Sequence, residues 1–158
     1  MRTLITTRLE CKPERAWEAV PTTRLLEHVA APLLAFVPLQ PRTLPETWRP
    51  GNYLVKMKFL GFIPLGNQWV VISMPKPNKT TTNRREYFIR DNGHGNLAKK
   101  WDHLITITET RDGTTQYTDQ VDIDAGLLTP FIWLFSQMFY RHRQRRWRAL
   151  VKRQFAFG

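Results

Sequence analysis

The sequence predicts an α+β fold in which a curved antiparallel sheet of about six strands wraps around one long C-terminal helix. Three observations carry this. Residues 127–157 contain only one helix-breaking residue, Pro130, placed where a helix starts, so a rod of roughly 40 Å is expected. Residues 52–124 alternate apolar and polar with period two, interrupted at intervals by turn residues. One helix is too narrow to cover a flat sheet of six strands, so the sheet has to curl around it. The 158 residues suit a single domain, taken as residues 1–158.

Taken in order, Thr3 to Glu10 reads as a strand. Lys12-Pro13-Glu14-Arg15 opens a short helix with Ala16, Trp17 and Val20 on its apolar side, and Pro21 ends it. Thr22 or Thr23 caps a second short helix that buries Leu25, Leu26 and Val29. Pro32, Pro38, Pro41, Pro45 and Pro50 make Ala31 to Gly51 a loop with one extended piece around Leu33 to Leu39. Tyr53, Val55, Met57 and Phe59 then form a half-buried strand, and Leu60-Gly61 turns into a second one, Ile63 to Met74. There Trp69 and Val71 face one way and Val70 and Ile72 the other. Pro75 to Lys79 turns the chain into a third strand, Thr80 to Arg90, with Tyr87 and Ile89 on one side, and Asp91 to Asn96 reads as the turn after it.

Lys99 to Thr110 and Thr114 to Asp124 form the last hairpin. A two-residue Asp-Gly turn would pair Ile105 with Gln120; a three-residue loop with Gly113 in the left-handed region pairs Ile105 with Asp119 and His103 with Val121. The second keeps one face mostly apolar and is preferred. It also sets His103 diagonal to Asp119 on the inner face.

In the final helix Thr129 is the expected N-cap. Leu128, Phe131, Ile132, Phe135, Met138, Phe139, His142, Ala149 and Leu150 are expected to share its inner face. Its second half is basic. Seven of the 24 Lys and Arg residues lie between Arg141 and Arg153, with no acid among them, in a chain of net charge +11. A solvated helix end is the plainer reading, since cations are favourable near a helix C-terminus. The alternative is an anionic partner held by Arg141, Arg145, Arg148 and Lys152, a membrane surface rather than nucleic acid.

Several chemistries find no motif. The glycines at Asn92-Gly93-His94-Gly95 follow a strand without preceding a helix, so they form no phosphate loop. His28, His94, His103 and His142 are scattered and Cys11 stands alone, which gives no metal-ligand spacing and no internal disulfide. No metal or cofactor is expected. A serine nucleophile elbow is also absent, and Asn78-Lys79-Thr80 is a glycosylation sequon in a chain with no secretion signal. With no apolar run long enough to span a bilayer, a cytoplasmic protein is expected.

Five strings stand out: Pro13-Glu14-Arg15-Ala16-Trp17, Leu44-Pro45-Glu46-Thr47-Trp48-Arg49-Pro50-Gly51, Trp101-Asp102-His103, Tyr117-Thr118-Asp119-Gln120-Val121 and Phe139-Tyr140-Arg141-His142. Together they resemble the START/Bet v-type helix-grip superfamily, in particular its polyketide cyclase/dehydrase-like (SRPBCC) members. Where some relatives carry a second histidine after the aromatic-x-His strand, this chain has Ile105, so no role needing a histidine pair carries over. The resemblance implies a cavity between sheet and final helix for a hydrophobic small molecule such as a lipid, isoprenoid or polyketide. The expected lining is Tyr53, Val55, Met57, Trp69, Val71, Tyr87, Trp101, His103, Ile105, Asp119, Val121, Phe131, Phe135, Met138 and His142. A carrier is the leading function. A cyclase or aromatase using His103 and Asp119 as acid and base comes second, although a buried pair that only satisfies its own hydrogen bonds is the simpler reading of those two.

Overall fold

A computed structural model describes residues 1–76 and 84–158. The chain runs β1 (Arg2–Leu9), α1 (Pro13–Ala19), α2 (Thr23–Ala30), β2 (Leu34–Gln40), β3 (Gly51–Phe59), β4 (Ile63–Ser73), β5 (Glu86–Gly95), β6 (Lys100–Glu109), β7 (Thr115–Asp124), a short 3-10 turn (Gly126–Leu128) and α3 (Thr129–Lys152). One antiparallel sheet takes the order β1-β7-β6-β5-β4-β3-β2, with α3 against β1 and β7. The seventh strand is the extended piece expected around Leu33 to Leu39. It pairs with β3 at the sheet edge, the position where Pro38 removes no needed ladder bond. The expected start of a strand at Thr80, the later part of the Pro75 to Lys79 turn and the Asn78-Lys79-Thr80 sequon lie outside the described residues.

The β6–β7 hairpin has the register of the three-residue loop: His103 opposes Val121, Ile105 opposes Asp119, and Gly113 sits at φ 81°. The predicted turn at Asp91 to Asn96 is instead the continuation of β5 as far as Gly95. The glycines belong to the strand because nothing larger fits. A Cβ on Gly95 would lie 2.3 Å from the Asn67 carbonyl oxygen, and one on Gly93 would lie 2.7 Å from the Trp69 carbonyl oxygen. The chain turns only beyond them.

Two facial assignments also change. Val55 pairs with Gln68 and Tyr53 with Val70, so Gln68, Val70 and Ile72 are the buried face of β4, while Trp69 and Val71 lie on the other. Along α3 the buried residues are Ser136, Phe139, Tyr140, Arg143, Gln144, Trp147, Leu150 and Val151. The helix is rotated from its most apolar stripe, which leaves Phe131 and Met138 exposed. The rotation brings polar groups into register with β1: Ser136 and Gln137 meet the Thr3 hydroxyl, Gln144 donates to the Ile5 carbonyl, and Arg148 donates to the Thr7 hydroxyl. For the buried Ser136 and Gln144 these bonds satisfy groups that would otherwise be costly to bury. Thr129 is not the N-cap but the first helical residue; its hydroxyl accepts from the Ala125 N–H and donates to the Gly126 carbonyl, closing the 3-10 turn.

Candidate functional site

Leu9, Leu25, Val29, Trp147 and Leu150 fill the interior near α1 and α2. Beside that packed region the sheet and α3 enclose a hollow of about 120 Å³. Its walls are largely apolar: Leu34 and Phe36 from β2, Met57 from β3, Val70 and Ile72 from β4, Ile89 from β5, Ile105 from β6, Phe135 and Phe139 from α3. The polar side chains that reach it include Gln68, Asp91, His103 and Arg143. Period-two alternation on each strand delivers these groups to one side.

The pair expected from the hairpin register is formed. His103 Nε2 lies 2.8 Å from Asp119 Oδ1, and Asp119 is wholly buried behind the ring. Asp119 Oδ1 also accepts from the Tyr117 hydroxyl at 3.1 Å, and Oδ2 accepts from Gln144 Nε2 at 3.0 Å. Arg143 donates from Nη2 to the Tyr117 oxygen at 3.2 Å, while its Nε stands 3.7 Å from Asp119, an ion pair without a hydrogen bond. Among the described residues that Nε has no hydrogen-bond partner. Burial alone would raise the Asp119 carboxyl, but the Arg143 charge and the bonds from His103 and Gln144 outweigh it and hold the group below the usual carboxylate range. Burial lowers His103 despite the opposing pull of Asp119. The resting arrangement is therefore an ionised Asp119 accepting from a neutral His103 through Nε2–H, which leaves the Nδ1 lone pair free. Asp119 has no face on the hollow, so it orients the ring and cannot itself exchange a proton with a guest.

Asp91 is the group that sequence reading missed. It lines the hollow from β5, where Oδ1 accepts from the Val71 N–H at 2.8 Å. Desolvation pushes its carboxyl up to about 7, against that hydrogen bond and with help from nearby Asp102. The signal was present in the alternation Tyr87, Ile89, Asp91; the glycines after it masked the strand. Gln68 was hidden in the same way by the facial assignment of β4.

Of the expected lining, Met57, Trp101, His103, Ile105 and Phe135 face the hollow. Val55 and Val121 are buried in the surrounding core. Tyr53 packs edge-on to Trp48 and Tyr87 stacks on Trp17, and neither lines the hollow. Trp69 and Val71 lie on the opposite sheet face, and Phe131 and Met138 point outward. His142 Nε2 is bonded to the Ala31 carbonyl at 2.8 Å. The basic residues Arg141, Arg145, Arg148 and Lys152 are exposed, whereas Arg143 turns inward and Arg146 donates to the His28 carbonyl. Among the described residues no group of three His, Cys, Asp or Glu side chains could hold a metal ion, and no helix is long and apolar enough to cross a membrane.

Comparison with solved structures matches this architecture along nearly its whole length. A START superfamily protein from Mycobacterium smegmatis is 10% identical, with a TM-score of 0.61 over 97% of this chain and 98% of that one. A protein from Thermus thermophilus is 8% identical, with a TM-score of 0.61 over 98% and 99%. Ara h 8.0201 is 13% identical, with a TM-score of 0.55 over 96% and 97%. The chain has the START-type helix-grip fold. No family model and no curated protein sequence matches it, so the likeness lies in the helix-grip architecture. Within that architecture the grip of sheet on helix is made here by a buried polar seam, and the hollow lies beside the seam.

Proposed function

We propose that this helix-grip protein binds a hydrophobic small molecule in the hollow between the sheet and α3. The observation that carries the reading is the hollow itself, apolar-walled and about 120 Å³, with a few polar groups on its wall. Its volume is near the roughly 150 Å³ of an engineered apolar cavity that admits benzene. A single ring matches that volume, and a longer lipid, isoprenoid or polyketide chain exceeds it. Because Asp119, the expected partner of His103 in an acid–base pair, has no face on the hollow, a carrier fits better than that cyclase. A cytoplasmic carrier is consistent with the lone Cys11. Titration with toluene, followed by amide chemical shifts in NMR, is expected to give saturable shifts confined to the lining residues. Ile105→Phe, which fills the hollow, is expected to abolish them. Shifts that fail to saturate, or that survive Ile105→Phe, would remove the proposal.

A second reading is favoured by the outer side of α3. Leu127, in the 3-10 turn, leads into Phe131, Leu134, Met138, Arg141, Arg145, Arg148 and Lys152, which follow one another along α3 at spacings of three or four and therefore share one face. The first four are exposed by 97, 72, 64 and 49%. This stripe is apolar in its first half and cationic in its second. It suits the surface of a bilayer containing anionic lipids, with the apolar half at the acyl boundary and the cations among the headgroups. Co-sedimentation with phosphatidylserine vesicles but not with phosphatidylcholine vesicles is the expected result.

A further inference from the structure

The polar groups of the hollow are under-used in a particular way. Ile72, Asp91, His103 and Val121 are successive partners across β4, β5, β6 and β7, so Asp91 and His103 stand side by side on the inner face. Opposed residues of this kind hold their Cβ atoms about 5 Å apart. Asp119 occupies His103 Nε2, and among the described residues nothing bonds Nδ1. The Val71 N–H occupies Asp91 Oδ1, and among the described residues nothing bonds Oδ2. Gln68 lies beside them, its amide draped over Gly93 and Gly95. A Cβ at those two positions would come 2.7 Å from Gln68 Nε2 and 2.5 Å from its Oε1. The two glycines thus make room for a polar floor in an otherwise apolar space. Floors of this kind are costly unless something completes their hydrogen bonds.

The chemistry of the two groups is complementary. His103 Nδ1 is an acceptor, because the ionised Asp119 fixes the proton on Nε2. A carboxyl at Asp91 in its neutral form is a donor. The charged or titratable groups that share the hollow with Asp91 are His103 on β6 and Tyr140 and Arg143 on α3; Asp102, held by Arg90 on the other face of β6, acts on Asp91 through its charge alone, and the Arg143 charge is matched by Asp119. A carboxylate guest would meet the Nδ1 lone pair and a second carboxyl. A hydroxyl would accept from one group and donate to the other.

We infer that the hollow selects small ring compounds bearing an uncharged hydroxyl, bridged between the Asp91 carboxyl and His103 Nδ1, over the bare hydrocarbon and over the matching carboxylate. The inference rests on the hollow being a binding site, and the test separates the two. The full chain is titrated at pH 6 with toluene, benzyl alcohol and benzoate, followed by amide shifts in NMR. Benzyl alcohol is expected to bind roughly tenfold more tightly than toluene, the worth of about one net hydrogen bond, and benzoate not to saturate. Asp91→Leu should leave toluene binding in place and bring the alcohol down to it, while Asp91→Asn, which retains a donor, keeps the preference. Acetophenone can only accept, so its affinity should fall about tenfold between pH 6 and pH 8 as a carboxyl titrating near 7 loses its proton. With Asp91→Asn that fall should vanish. Equal affinity for toluene and benzyl alcohol, saturable benzoate binding, or an alcohol preference that survives Asp91→Leu would overturn the inference and leave the hollow as a plain apolar site. Absence of toluene binding as well would overturn both.

Discussion

Asp119 and Asp91 sit on β7 and β5, one on either side of the strand that carries His103, and their environments drive them in opposite directions. Asp119 takes hydrogen bonds from His103, Tyr117 and Gln144 and faces the Arg143 charge, so burial leaves it ionised. Asp91 has one backbone donor and a hollow beside it, so burial pushes it up to about 7. Two carboxylates in one interior thereby do different jobs. The satisfied one joins β6, β7, β1 and α3 into a seam, because Gln144 also donates to the Ile5 carbonyl. The half-satisfied one leaves bonding capacity facing empty space, which is what a ligand site requires and a structural seam avoids.

The largest effect is expected from breaking the seam. Asp119→Leu leaves the buried Arg143 guanidinium without its counter-charge, and losses on removing one member of a buried pair run to about 3–5 kcal/mol. Urea denaturation at pH 7 measures it; a loss below about 1 kcal/mol would mean that the seam contributes little. The pH dependence has a definite sign. Because the folded carboxyl lies below its ordinary value of 3.8, its contribution is present above that value and is lost as pH falls through the folded pKa. Asp119→Asn should therefore flatten the acid limb of stability and leave the alkaline limb alone.

A smaller loss is expected from the floor of the hollow. Gly95→Ala places a methyl 2.3 Å from the Asn67 carbonyl oxygen, so β4 and β5 have to part locally. Such overpacking costs about 1–3 kcal/mol. Toluene binding should weaken with it, because Gln68 is displaced from its saddle. Thermal denaturation together with the NMR titration checks both.

How far these features could be read in advance depended on which force chose each face. The β6–β7 register and the His103–Asp119 diagonal were legible because one register alone gathers Trp101, Ile105, Tyr117 and Val121 together around Gly113. The helix as an element was legible from its uninterrupted span. Its inner face was not, because Ser136, Arg143 and Gln144 are buried by specific bonds to β1, β7 and Tyr117, while Phe131 and Leu134 are left outside. Hydropathy cannot report a face chosen by hydrogen-bond complementarity. Asp91 was lost for another reason: Gly93 and Gly95 resemble a turn unless the neighbouring strand that forbids a Cβ is known.

The finest test of the contrast uses Asp91→Asn. For a group whose folded pKa is raised from 3.8 to about 7, the stabilising contribution is complete below 3.8 and is lost as pH rises through 7, the reverse of Asp119. Wild type should therefore lose stability relative to Asp91→Asn between pH 5 and pH 8, by about 2–3 kcal/mol in paired urea titrations. Opposite pH slopes from two carboxylates flanking the same histidine would separate seam from site without any ligand in hand. If Asp91→Asn and wild type instead ran parallel from pH 5 to pH 8, the Asp91 carboxyl would have to be ionised throughout. It could then accept a proton from a guest but never donate one, and the hollow would lose the donor that distinguishes a hydroxyl from a carboxylate.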